Sequence, residues 1–127
     1  MKLLLAATVV FLLAINPVVR AETKPDPGSF AAFWVRFKEA VAKENKEAIA
    51  GMTKFPFDDG SGKQLSRADF IKQSGAIFDQ KTRKCFRSAK PVKEDNRDSY
   101  SVFCGEVIFV FAKGNGGYQF TALGVND

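Results

Sequence analysis

Between Phe30 and Val41 the apolar residues recur at helical spacing. Taken at about 100° per residue, Phe30, Phe33, Trp34, Phe37, Ala40 and Val41 share one side, while Arg36, Glu39 and Lys43 point elsewhere. Ser29 precedes the run and suits an N-cap, so the pattern predicts an amphipathic helix with an aromatic buried face. Glu44 to Met52 reads as a turn and a second short helix stopped near Gly51. Thr53 to Phe57 is extended, because Pro56 biases the residue before it away from helix. Asp58-Asp59-Gly60-Ser61-Gly62 turns the chain and Lys63-Gln64-Leu65 returns beside it. Ser66-Arg67-Ala68-Asp69 reads as a capping box with Asp in the Glu place, opening a helix that buries Phe70, Ile71, Ile77 and Phe78.

From Lys81 onward the pattern reads as strand. KEDNRD is a turn signal, and a hairpin centred on Glu94 and Asp95 would set Cys85 opposite Cys104 on adjacent strands. A loop one residue longer would make them diagonal neighbours. Gly105-Glu106 reads as a bulge inside one bent strand. Asn115-Gly116 is a strong hairpin signal that pairs Phe111 with Phe120 and Phe109 with Ala122. Val107, Phe109, Phe111, Tyr118 and Phe120 then share one face, and Ile108, Val110, Ala112, Thr121 and Leu123 the other. The order of elements is α+β, with helices packed on one side of a curved antiparallel sheet. A sheet covered on one face only should alternate apolar and polar residues, and this hairpin does not. The outer set around Ile108, Val110, Thr121 and Leu123 therefore needs a cover. A homodimer through that face is expected, and a strongly coiled sheet or the N-terminal tail would be the cover within one chain.

The start of the chain is separate from this pattern. Met1-Lys2, the apolar run Leu3 to Ile15, the breaker Asn16-Pro17 and the small residue Ala21 together read as a secretory signal peptide over residues 1–21. The run is too short for a membrane span, so no anchor is expected after cleavage. Residues 22–28 form a polar, proline-rich tail, and residues 29–127 a single domain. The expected location is periplasmic or extracellular. Two of the 19 Lys and Arg leave with the leader, so the net charge falls from +5 to about +3, which does not call for nucleic acid. Cys85 and Cys104 are an even pair in an exported chain and are expected to form a disulfide; free thiols are the alternative, with no histidine to activate one.

Composition removes several chemistries. The chain has no histidine, phosphate loop or nucleophile motif, and no cofactor is expected. Asp58 and Asp59 beside glycines invite calcium, but the alternating oxygen ligands and the closing Glu are missing, so no metal is expected. Lys81, Arg83, Lys84 and Arg87, with Lys90 and Lys93 beyond, form a basic cluster. It reads as a solvated strand face or as the contact for an anionic partner, such as an envelope polymer or an acidic protein.

The stretches FWVRFKEAVAKENKEAIAGMTKFPF, LSRADF and VIFVFAKGNGGYQFTALGV, in that order, resemble the nuclear transport factor 2-like superfamily over about Phe30 to Val125. The resemblance is to small exported bacterial members of uncharacterised function. It implies a cystatin-like cone, in which a bent sheet wraps a long helix around a central pocket. Relatives often have tryptophan in the last hairpin, where this chain has Tyr118. The pocket candidates are Phe33, Trp34, Phe37, Phe57, Phe78, Tyr100 and Tyr118. The resemblance also implies an alternative, because ketosteroid isomerase and scytalone dehydratase use Asp and Tyr, or His and Asp, inside such a pocket. Only the Asp–Tyr version is open here, and Asp58, Asp59, Asp69 and Asp79 read as loop or helix-end residues. The expected function is a non-catalytic binding domain that takes either a small apolar ligand or an envelope or extracellular protein partner.

Overall fold

A computed structural model describes residues 26–126. The expected leader, residues 1–21, and the first part of the expected tail lie outside the described residues. The order is α1 (Phe30–Ala42), α2 (Lys46–Gly51), β1 (Thr53–Asp58), β2 (Gln64–Leu65), α3 (Arg67–Ile77), α4 (Gln80–Ser88), β3 (Val92–Lys93), β4 (Ser99–Cys104), β5 (Val107–Gly114) and β6 (Gly117–Val125). Four helices pack on one curved, unclosed, six-stranded sheet in the order β2-β1-β6-β5-β4-β3. The strand pairs are antiparallel except β1 with β6. This is the α+β architecture the pattern predicts.

Local chemistry explains most boundaries. The Ser29 hydroxyl accepts from the Ala32 N–H and starts α1, whose buried side is Phe30, Phe33, Trp34, Phe37, Ala40 and Val41. Glu44, at φ 53°, ends it by letting the Asn45 N–H return to the Ala40 carbonyl at 2.9 Å. Ser66 caps α3 by accepting from the Asp69 N–H. Within the α3 segment Phe70 and Phe78 are buried, while Ile71 and Ile77 are half-buried. The β1–β2 hairpin pairs Phe57 with Leu65. Gly60, in the loop between them, has φ +82°, and a Cβ there would fall 2.7 Å from the Leu123 carbonyl oxygen, so only glycine lets this loop lie against β6.

Four expectations are corrected. Gln80 to Ser88 is helix, not strand. Asp79 caps it by accepting from the Thr82 N–H, five of its nine residues (Gln80, Lys81, Arg83, Lys84 and Arg87) are strong helix formers, and its two buried residues, Thr82 and Phe86, stand four apart. Pro91 prevents its continuation. The Cys85–Cys104 disulfide forms, with a Cα–Cα distance of 5.9 Å, but it ties α4 to the end of β4 instead of joining two strands. The β3–β4 pairing is short and shifted from the expected register, with Val92 opposite Ser101. Gly105-Glu106 is not a bulge but the two-residue turn between β4 and β5, closed by Cys104 opposite Val107. Gly105 takes φ +63° at the first turn position, where a hairpin favours glycine.

The last hairpin keeps the expected pairing of Phe111 with Phe120, then shifts, so that Val110 faces Ala122 and Phe109 faces Leu123. Thr121 is the extra residue of the bulge, and its hydroxyl donates to the Val110 carbonyl at 3.2 Å. Leu123 therefore lies on the helix side, packed against the core, and leaves the outer-face set. A one-residue slip exchanges the two faces of a strand.

Candidate functional site

The aromatic residues form one connected layer between helices and sheet. Phe37, fully buried, contacts the rings of Phe33, Trp34, Phe78, Phe86, Phe111 and Phe120, with centroids 5.0–6.4 Å apart. Phe57 extends the layer, at 4.7 Å from Phe120 and 5.1 Å from Phe70. Most of these pairs are tilted or edge-to-face, the arrangement the ring quadrupoles favour. Phe33, Trp34, Phe37, Phe57 and Phe78 are thus brought together, each touching other rings. Among the described residues, a small hollow of about 20 Å³ beside Val41, Ser74 and Phe78 has room for one water. The larger hollows are surface grooves.

Tyr100 and Tyr118 close one end of the layer. Phe30 stacks on Tyr100 at 3.8 Å and meets Tyr118 edge-on at 5.3 Å, and the two tyrosine rings are 5.9 Å apart. Burial first, then the charge of Asp98 and the neighbouring Tyr100, push the Tyr118 hydroxyl above its usual range. A phenol raised in this way stays protonated at neutral pH. Phe30, outside the expected pocket set, belongs to the same layer, where it touches Phe33 and Trp34 as its place in the helical stripe implies.

An Asp general base would need apolar surroundings that raise its carboxyl. The structure does not place Asp58, Asp59, Asp69 or Asp79 in the aromatic layer. Asp58 and Asp69 are exposed. Asp59 is held below the ordinary carboxylate range by hydrogen bonds from the Ser61 hydroxyl and N–H, and Asp79 by the Thr82 N–H. Their ligands are their own turns and caps. Among the described residues, no group of three or more Cys, Asp or Glu side chains gathers as a metal site.

Two surfaces stand out on opposite sides of the sheet. The outer face carries Phe103, Ile108, Val110, Ala112 and Ala122, with Thr121 at the bulge. Phe103 is 47% exposed and pairs with Ile108, a consequence of the β4–β5 turn that the bent-strand reading concealed. Glu94 marks the polar margin of this face, accepting from the Ser101 hydroxyl at 2.8 Å. On the helix side, α4 shows Lys81, Lys84 and Arg87 to solvent, so the basic cluster lies on a helix face. Arg83 instead turns back to the Phe78 carbonyl at 2.8 Å and to Glu44 at 3.2 Å.

The intramolecular disulfide suggests an oxidising compartment outside the cytoplasm. No helix among the described residues is long and apolar enough to cross a membrane. The chain matches no protein-family model, and no curated protein matches it in sequence. Among solved structures it is similar to a protein of unknown function from the DUF3225 family of Pectobacterium atrosepticum SCRI1043. Identity is 10%, the TM-score is 0.44, and the match covers 76% of this chain and 88% of that chain.

Proposed function

We propose that this chain is an exported, non-catalytic binding domain of the nuclear transport factor 2-like cone type, and that it works through its surface. Residues 1–21 direct it to the periplasm or the extracellular space. The outer sheet face around Ile108, Val110 and Thr121, joined by Phe103, pairs with a second copy of the chain. The observation that supports this reading is the ring-to-ring filling of the interior, beside an outer sheet face that leaves Phe103 47% exposed. The interior reading, a small apolar ligand held beside Phe33, Trp34, Phe37, Phe57, Phe78, Tyr100 and Tyr118, requires those rings to part.

Sedimentation equilibrium and native mass spectrometry of the exported protein separate the two. A ligand-free dimer that Val110→Lys converts to a folded monomer is the expected result, because a lysine ammonium cannot be desolvated there without a partner charge. A monomer at high micromolar concentration, or a co-purifying apolar molecule lost on Phe37→Ala, overturns it.

A further inference from the structure

We propose that the solvent face of α4 binds a linear polyanionic glycan, a carboxylated or sulfated polysaccharide of the compartment in which the protein works. α4 buries Thr82 and Phe86. The opposite side, at about 100° per residue, carries Gln80, Lys81, Lys84, Arg87 and Ser88, all exposed: three cations, two neutral polar groups, no acid and no apolar side chain. Among the described residues, the ion pairs within 4.0 Å use Lys43, Arg67 and Arg83, and none uses Lys81, Lys84 or Arg87. Asp79, whose carboxyl feels the Lys81 charge, accepts the Thr82 N–H.

The three cations repeat every third residue and span roughly 9 Å along the helix axis at about 1.5 Å per residue. Like charges at this spacing repel and weaken a helix. α4 holds them because Cys85, in its middle, is bonded to Cys104, and because Phe86 is buried. The row is therefore presented from a fixed backbone, which lowers the entropy lost on binding. Beside this face a separate groove between α1 and α4, floored by Val41, Ala42 and Phe86, runs from Arg87 to Lys38, with Glu39 on its rim.

The absence of apolar groups on this face selects among anionic partners. A protein interface needs a desolvated apolar or aromatic centre and is depleted in lysine. A membrane-surface helix inserts its apolar side, and the apolar side of α4 is turned into the core. A hydrated polymer with charge on successive sugars asks only for spaced cations and hydroxyl or amide partners, which Gln80 and Ser88 supply. This face is on the helix side of the sheet, so the inference is independent of pairing through the outer face, and Val110→Lys should leave it unchanged.

The test uses the full exported chain with dextran sulfate and polygalacturonate as probes, by titration calorimetry at about 50 and about 200 mM salt. Lys81→Gln/Lys84→Gln/Arg87→Gln is compared with Lys54→Gln/Lys72→Gln/Lys113→Gln, which removes as much charge from other exposed positions. The expected result is binding to both polymers that weakens with salt and falls roughly tenfold or more in the α4 variant, with the control near wild type. Equal loss in both variants, no binding at low salt, or equal affinity for phosphatidylglycerol vesicles overturns the proposal. If the triple variant loses its native circular dichroism, Lys84→Gln alone must still weaken binding, and an unchanged affinity there overturns it too.

Discussion

α1 and α4 lie on the same side of the sheet and touch each other, yet they are held by different means. α1 has thirteen residues and buries six of them, all apolar. α4 has nine and buries two, one of them a threonine. A helix of that length is marginal by itself, and repulsion along its basic side weakens it further. What α4 lacks in buried area, one covalent bond to β4 supplies. A tethered helix can leave its outer surface almost entirely to charge, whereas an untethered one must keep an apolar stripe.

The greatest loss is expected in α1. Phe37→Ala empties a fully buried ring site contacted by six other rings and should cost about 4 kcal/mol, read from urea unfolding. That is a large part of the stability of an ordinary domain. Next, Cys85→Ala with Cys104→Ala should cost about 3 kcal/mol by freeing the loop between them. Amide exchange in α4 should then quicken more than in α1, and equal quickening in both would remove the distinction.

The smallest effect concerns the helix starts. Ser29 caps α1 with a neutral hydroxyl, and Asp79 caps α4 with a carboxylate. Because the folded Asp79 carboxyl is depressed, its contribution is present above the ordinary unfolded carboxyl range and is lost as pH falls through the folded value. Asp79→Asn should flatten this part of the acid limb in a denaturation series, while Ser29→Ala should lower stability by about 1 kcal/mol at every pH.

These elements were legible in the sequence to unequal degrees. The α1 stripe was plain, because its period is local and six apolar residues repeat it. The Ser66 cap and the Asn115-Gly116 turn were likewise set by neighbouring residues. α4 was missed although Thr82 and Phe86 stand at helical spacing, because two buried residues make a weak period and the cysteines suggested a symmetric hairpin. The disulfide itself was correctly expected, since it needed only the count and the compartment. The bulge at Thr121 was not legible, because β6 also pairs with β1, and that parallel contact comes from residues more than sixty positions earlier. Hence Leu123 lies on the helix face and not on the expected outer one, while Ile108 and Val110 share the outer face. The meeting of Tyr100, Tyr118 and Phe30 likewise depends on how the meander folds back on α1.

The sheet ends in two strands of two residues each, β2 on one side and β3 on the other. On the β3 side, α4 is tied to the end of β4, with the Cys85 sulfur 3.5 Å from the Phe103 carbonyl oxygen, a contact only, since a disulfide sulfur has no proton to donate. Neither margin offers a long row of free amides to a strand of another molecule. In the proposed pairing, copies that meet face to face would use up the surface that brought them together, and among the described residues neither rim carries a strand longer than two residues. If the proposed pairing holds, assembly should stop at a closed pair, and concentrated solutions should stay clear of fibres.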